Sequence, residues 1–414
     1  MTSSRGCVAV RAWIVIVICF LSVASVRGQE VADRAGPFAT PISSKSVETF
    51  AAVLGLDAEQ KSVVKALYAG YRSDYRRAMD KGDSATHAEQ QKFEEDPASA
   101  DHEGYAKKRI AVVREFVKEA DRLDKAFMSD LKAILTPEQA DRFERAERAR
   151  RREVGLRFSL IAGEQVDLFA ILRQNAIDRD ATPELKDVLE PYEVEIDKTM
   201  AAKIALFRAI FDNMEKFEGP SGDPAEVEKA MEELLRNGMR TRDAHRNCIR
   251  RLMPLIPAER QDAVDRAVKL AGFPRVYRES AADQVLKAAL AMRDLSAEQR
   301  AELEAIRDSY RRELEGVNAR WTAAIEAAQE QMPGNFVRLM MGEEDKPDDS
   351  LRLAREARVG LDERTMQRVV QLLSQAQRES LPKIEPDTSW HGREHMPDFE
   401  EDQGMREWKK EDEG

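Results

Sequence analysis

Histidines at metal-ligand spacing are the first residues of this sequence that could do chemistry. His391 and His395 stand four positions apart with Glu394 between them, a spacing that puts two ligands on one helical face. Gly392 and Pro397 oppose a stable helix there, and the order differs from the H-E-x-x-H of zinc proteases. We therefore interpret these histidines as part of a solvated tail.

Two other histidine patterns are also incomplete as metal sites. His245 precedes Cys248 by one helical turn, which supplies two ligands where a closed zinc site needs four. His87 and His102 lie among acidic residues of a stretch that we interpret as a solvated loop. We predict no metal site and no cofactor, with zinc or nickel binding as an alternative. Cys248 falls in an apolar helical stripe, which favours a buried, inert thiol.

Catalytic patterns are lacking as well. The phosphate-binding glycine motifs G-x-G-x-x-G and G-x-x-x-x-G-K-[ST] are absent from the sequence. Asp and Glu recur along the whole chain, so no two of them stand out as an acid and base pair. The chain is therefore predicted not to be an enzyme and to have no catalytic residue.

One methionine-rich stretch, residues 331–342, has the composition of a binding surface for varied apolar partners. Flexible thioethers beside Pro and Gly breaks suit such contacts. The alternative is that residues 336–341 form a short helix that packs into the protein core. The candidate client-binding residues are Met332, Phe336, Val337, Leu339, Met340 and Met341.

The composition indicates that helices position these residues. Charged residues make up 35% of the 414 residues and aromatic residues only 6%, with 20 Gly and 16 Pro. This profile argues against an all-β sandwich, which needs more turn residues and β-branched runs. The net charge of −11 disfavours nucleic acid and anionic membranes as partners. Residues 142–152, the densest basic stretch, are interleaved with Glu and predict an exposed helix with surface salt bridges.

A helix-capping motif recurs along the chain. In Leu135-Thr-Pro-Glu-Gln139, Thr136 is suited to cap a helix start, and Gln139 can reach back to complete a capping box. Related motifs begin at Leu56, Ala181 and Leu295, although Leu185 replaces the glutamine in the second of these. The predicted capping residues are Asp57, Gln60, Thr136, Gln139, Thr182, Ser296 and Gln299.

Internal similarity predicts three tandem repeats. The motif at Leu56 recurs at offsets of 125 and 239 residues, and each copy precedes an apolar stripe at helical spacing. The three stripes are Val64, Leu67, Tyr71 and Tyr75; Leu189, Tyr192, Ile196 and Met200; and Leu303, Ile306, Tyr310 and Leu314. We therefore predict that one helical unit occurs three times.

Each unit is predicted to be a hairpin of long antiparallel helices with short flanking helices. Polar breaks at about 80–104, 219–224 and 332–350 predict the hairpin loops, and closing helices are expected from Leu135, Leu255 and Leu361. Short helices are predicted at 47–54, 166–172 and 285–292. The prediction is thus an all-α fold without β-sheet. The predicted divisions are a leader at 1–28, a linker at 29–45, repeats at 46–158, 159–278 and 279–385, and a disordered acidic tail at 386–414.

The N-terminus has the pattern of a secretory signal peptide. Arg5 and Arg11 precede an uncharged run at 12–26, and a cleavage site is expected before Gln29. An uncleaved N-terminal anchor is the alternative. A cleaved leader predicts a periplasmic or secreted protein that retains Cys248 as its single cysteine and so has no internal disulfide.

The Leu135–Gln139 motif resembles the LTxxQ signature of the Spy/CpxP family. Asp57 and Ser296 replace the threonine in the motifs at Leu56 and Leu295. The resemblance implies an exported all-α protein that shields unfolded polypeptides without ATP or responds to envelope stress. Family members usually carry one unit, whereas three are predicted here. The alternatives are a structural or scaffolding helical protein without clients and a metal-sensing protein.

Overall fold

The computed structural model describes residue 35 and residues 39–95, 102–213, 224–332 and 349–382. Across these residues the chain is helical and contains no β-strand, so the predicted all-α fold is confirmed. None of the helices in this described part is both long and apolar enough to cross a membrane. The three-repeat organisation and its boundaries stay predictions.

The N-terminal part is built on one long hairpin. Its helices are α1 Ser44–Leu54, α2 Ala58–Glu95, α3 His102–Ala133, α4 Pro137–Ala140 and α5 Phe143–Arg157. The predicted loop at 80–104 is wrong for residues 80–95, where α2 continues, and for residues 102–104, where α3 has begun. A single glycine does not end a helix, and here the Thr86 hydroxyl donates to the Gly82 carbonyl inside it, at 2.9 Å.

Aromatic side chains fill the space between α2 and α3. Tyr71 meets Phe127 edge-on at 5.6 Å between ring centroids, and Tyr75 meets Phe116 at 5.7 Å. The described end of the predicted linker also packs here, because Ile42 is fully buried and its backbone amide donates to the Tyr71 hydroxyl at 2.9 Å. Residues 39–43 of this linker are therefore buried in the core.

The middle part contains the second long hairpin. Its elements are α6 Leu168–Gln174, α7 Pro183–Asp212, α8 Pro224–Leu252, a 3-10 turn Met253–Leu255 and α9 Ala258–Gly272. The apolar stripe of α7 faces α8, and its members Leu189, Tyr192, Ile196 and Met200 are all buried. A turn at residues 158–167 connects α5 to α6, and its Gly163 amide donates to the Gly272 carbonyl at 2.8 Å. Gly163 has φ +84°, a conformation that favours glycine.

The C-terminal part contains the third hairpin. Its helices are α10 Pro274–Tyr277, α11 Ala281–Leu290, α12 Ala297–Glu330, α13 Asp349–Leu372 and α14 Gln375–Glu379. The predicted helix start at Leu361 is wrong, because α13 runs through it without interruption. Asp362 binds Arg358 and Tyr310 with its carboxylate instead of capping a helix.

Candidate functional site

The capping motifs make the hydrogen bonds that their residue types allow. The backbone amide of Gln60 donates to Asp57 Oδ1 at 2.8 Å, and that of Gln299 donates to Ser296 Oγ at 3.0 Å. Thr136 and Gln139 form a complete capping box. Thr182 also caps its helix, but Leu185 has no polar atom with which to return the bond. These residues therefore fix helix starts.

Two of the motif glutamines also bind each other. Gln60 Nε2 donates to Gln139 Oε1 at 2.7 Å, and Gln139 Nε2 donates to Gln60 Oε1 at 2.9 Å. The same side-chain amides also donate to backbone carbonyls across the hairpin. Gln60 Nε2 donates to the Ile134 carbonyl at 2.9 Å, and Gln139 Nε2 donates to the Gly55 carbonyl at 3.1 Å. This Gln60–Gln139 pair therefore joins the start of α2 to α4, and the bond from Gln60 to Ile134 also ties α2 to the end of α3.

The C-terminal hairpin repeats this arrangement with a motif that sequence reasoning missed. Gln299 Nε2 donates to the Leu372 carbonyl at 2.8 Å and to Gln377 Oε1 at 3.1 Å. Gln377 belongs to Leu373-Ser-Gln-Ala-Gln377, in which Ser374 caps α14. The spacing of the glutamines could have identified this motif from the sequence. The paired glutamines lie 79 residues apart in the first hairpin and 78 residues apart in the third.

We expect the two glutamines of the first pair to act together in stability. Gln139→Ala removes half of the capping box at Thr136 and three hydrogen bonds across the hairpin, so the unfolding free energy should fall by about 1–2 kcal/mol. In urea unfolding, a cycle with Gln60→Ala should give a coupling energy of about 1 kcal/mol. Gln90→Ala is the control, because among the described residues that half-buried side chain bonds only Glu94, one turn away on the same helix. Strict additivity of the Gln60 and Gln139 changes would contradict the pairing.

A tyrosine, an aspartate and an arginine meet in the core of the first hairpin. Tyr71 donates to Asp124 Oδ1 at 2.7 Å, and Arg150 donates to Asp124 Oδ2 at 2.6 Å. Burial opposes the charge of Arg150, but the carboxylates of Asp124 and Glu153 outweigh it and raise the pKa of Arg150. The arginine also donates to the Thr40 carbonyl and so ties α5 to the segment before α1.

The third hairpin contains the same three residue types in contact. Tyr310 donates to Asp362 Oδ1 at 2.7 Å, and Arg358 Nε donates to Asp362 Oδ2 at 3.2 Å. Arg358 Nη1 also donates to the Val276 carbonyl at 2.9 Å. This arginine lies on the same helix as its aspartate, whereas Arg150 comes from a helix beyond the hairpin.

The basic stretch at 142–152 is not the exposed helix that the sequence predicted. It forms part of α5, which lies between α1 and α7, and Arg150 and Arg152 are buried. Arg151 makes a two-pronged contact with Asp197 at 2.7 and 3.0 Å. Arg152 binds Asp167 at 3.2 Å and lies over the Phe169 ring. These arginines are used inside the protein and are not free for an acidic partner.

A buried polar cluster lies beneath the 158–167 turn. Glu164 Oε1 is 2.6 Å from Lys203 Nζ, and the two side chains are only 1% and 3% exposed. Glu164 Oε2 accepts from the backbone amide of Leu160, while the Glu164 carbonyl lies 2.9 Å from His245 Nε2. The other His245 nitrogen lies 2.8 Å from the Tyr192 hydroxyl. Substrates in solvent cannot reach groups buried this deeply, so we assign the cluster a structural role.

Burial sets the protonation states around this cluster. Desolvation lowers the pKa of Lys203, although its partner Glu164 opposes the shift. Burial lowers the pKa of His245 to about 4 and raises the pKa of the nearby Cys248 thiol to about 12. His245 is therefore neutral at pH 7, and Cys248 is a protonated, unreactive thiol.

The neutral His245 should make stability depend on pH. Its pKa is about 4 in the folded protein and about 6.5 when unfolded, so the unfolded chain binds the extra proton between these values. The contribution of His245 to the unfolding free energy should be complete above pH 6.5. As the pH drops to 4, the unfolding free energy should fall by about 3 kcal/mol. Urea unfolding of wild type and His245→Gln at pH 7 and pH 4.5 measures this.

The variant should lose most of that pH dependence. The exposed His87 provides the control, because His87→Gln should keep the wild-type dependence. Equal pH dependence in all three proteins would show that His245 does not stay neutral on folding.

Most of the candidate client-binding residues, and the two tail histidines that were weighed as metal ligands, lie outside the described ranges. Met332 packs against the cluster that includes Ile161 and Phe207. Residues outside the described ranges are Phe336, Val337, Leu339, Met340, Met341, His391 and His395. Among the described residues, no group of three or more His, Cys, Asp or Glu could hold a metal ion.

Apolar surface on the described part of the chain is scattered. Six large apolar side chains are exposed, from 36% for Val370 to 55% for Leu353. They lie on four different helical elements: Val63, Leu255, Leu270, Leu353, Val359 and Val370. The described surface therefore offers single apolar side chains, whereas the long stripes are buried except for half-buried Leu67 and Leu314.

Comparison of the chain with family models, with curated proteins and with solved structures finds no match.

Proposed function

We propose that this chain is a non-enzymatic structural or scaffolding protein, a helical array that presents a charged exterior. The observation that carries the proposal is the burial of the three apolar stripes, of which only Leu67 and Leu314 are half-buried. Tyr71, Ile196 and Tyr310, at matching positions of the stripes, are 5%, 1% and 1% exposed. A helix whose apolar stripe is already covered keeps its polar face for contacts with other molecules.

The buried polar groups support the same proposal. Arg150, Lys203 and Arg358 are held by carboxylates within the core, which fixes the helices relative to one another. Rigid positioning of helices is useful to a scaffold, whereas a protein that adapts to many unfolded clients needs an accessible apolar surface. We further propose that the protein is exported, on the pattern of residues 1–28.

A second candidate is a Spy/CpxP-like chaperone without ATP. The two glutamine pairs favour it, since they bring together motifs related to the family signature in the first and third hairpins. On this proposal the methionine-rich stretch at 331–342 would meet the client.

Light scattering of an aggregating client distinguishes the two candidates. Reduced α-lactalbumin is a suitable client, and serum albumin at equal mass is the control. The scaffold proposal expects no more suppression of aggregation than albumin gives, up to equimolar protein. Suppression at that ratio would replace it with the chaperone proposal, and loss of suppression after Met340→Ser and Met341→Ser would locate the client surface.

A further inference from the structure

The outward face of α8 carries an unusual set of arginines. Its exposed members recur at helical spacing, so they line one side of the helix. Exposed Glu233 begins this face, and the exposed residues that follow it, Arg236, Arg240, Asp243, Asn247, Arg250 and Arg251, are what we call the basic face. Asp243 is the single carboxylate among them.

Three arginines of the basic face form no ion pair with another described residue of the chain. No carboxylate in the described ranges lies within ion-pair distance of Arg240, Arg250 or Arg251, in contrast to the arginines of α5. Arg236 pairs with Glu232, one turn away on the same helix, at 2.8 Å.

The neighbouring carboxylates on α12 are already occupied. Arg242 and Arg246 lie beside the basic face, and they pair with Glu330 and Glu326 respectively. Asp243 also lies 3.7 Å and 3.9 Å from these two arginines. These two glutamates of α12 therefore neutralise the flank of the basic face, while Arg240, Arg250 and Arg251 have no ion-pair partner among the described residues.

The local charge is opposite to that of the whole chain. Residues 236–278 contain eleven Arg or Lys against four Asp or Glu, a net charge of +7, whereas the chain carries −11. Screening limits the range of these charges to about 8 Å at physiological salt. A narrow partner lying on α8 would contact the basic face alone. A membrane or a nucleic acid duplex is broader and would also contact the rest of the protein surface, which is acidic.

We propose that the basic face of α8 binds an acidic polypeptide segment. Arg240 and Arg251 are separated by a rise of about 17 Å along the helix, which about five extended residues would span. Guanidinium groups form two-pronged bonds with carboxylates, as Arg151 does with Asp197 inside this protein. The proposal goes beyond the scaffold function by giving it a partner of stated chemistry.

Fluorescence anisotropy with a labelled ten-residue glutamate peptide tests the proposal on the full chain. The peptide should bind at low salt and dissociate as salt is raised. The variant Arg240→Glu, Arg250→Glu, Arg251→Glu should bind at least about tenfold more weakly, because attraction becomes repulsion. All three side chains are exposed, so circular dichroism should show an unchanged fold.

The matched control reverses three exposed arginines of α12, which also lack a carboxylate within ion-pair distance among the described residues: Arg311→Glu, Arg312→Glu and Arg320→Glu. It has the same change in net charge and should leave the peptide affinity within about twofold. Absence of peptide binding, or equal weakening in both triple variants, would overturn the proposal. Tighter binding of a DNA duplex or of phosphatidylglycerol vesicles than of the peptide would overturn the assignment to an acidic polypeptide.

Discussion

Replacing Glu164 by alanine should lower the unfolding free energy by about 3–5 kcal/mol, because it leaves the Lys203 ammonium buried without a partner. The two side chains are 2.6 Å apart and almost completely buried. The same change also removes the acceptor for the backbone amides of Leu160 and Ile161, which hold the turn between α5 and α6. Each amide left buried without an acceptor adds to the loss.

Urea unfolding at pH 7 measures this effect. Glu190→Ala is the matched control, because Glu190 also pairs with basic side chains, Arg145 and Lys186, but is 44% exposed. Glu190→Ala should lower the unfolding free energy by no more than about 1 kcal/mol. The double change Glu164→Gln with Lys203→Met removes both charges and should be less harmful than Glu164→Ala alone. Equal effects of Glu164→Ala and Glu190→Ala would show that the pair is not buried in solution.

The helix starts could be predicted from sequence because capping is local. Thr136, Thr182 and Ser296 need only the next three residues to make their hydrogen bonds. The apolar stripes were predictable for a similar reason, since helical spacing shows which side chains share a face. Leu189, Ile196 and Leu303 are buried as that spacing indicated.

The errors arose where contacts distant in sequence decide the structure. The arginines of α5 resemble an exposed salt-bridged helix until Asp124, Asp167 and Asp197 are brought to them from other elements. A helix was expected to start at Leu361, but the neighbouring Asp362 binds Tyr310, a partner 52 residues away that the local pattern does not show. Local patterns contain no information about such partners.

The buried polar cluster was the part of the site least accessible to sequence reasoning. Glu164 and Lys203 lie 39 residues apart, and Tyr192 and His245 lie 53 apart. The sequence does contain one indication of this buried cluster. Lys203 lies on the apolar stripe of α7, between Met200 and Phe207. A charged residue at such a position needs a buried partner, but the stripe does not say which residue supplies it.

Replacing Arg150 or Arg358 by methionine should each lower the unfolding free energy by about 3 kcal/mol. Methionine fills a similar volume, so the loss reports on charge and hydrogen bonding more than on packing. Arg150→Met leaves Asp124 without its cation and the Thr40 carbonyl without its donor. Arg358→Met does the same to Asp362 and to the Val276 carbonyl.

The comparison between these two variants tests whether the first and third hairpins share one stabilising arrangement. Arg122→Met serves as control, because Arg122 is 62% exposed and pairs with Glu119 one turn away, so its loss should cost less than about 1 kcal/mol. Adding Asp124→Asn to Arg150→Met should recover part of the lost unfolding free energy, because an uncharged amide then replaces the carboxylate that had lost its cation. If Arg358→Met behaved like the Arg122 control while Arg150→Met did not, the tyrosine, aspartate and arginine contacts of the third hairpin would not be equivalent to those of the first.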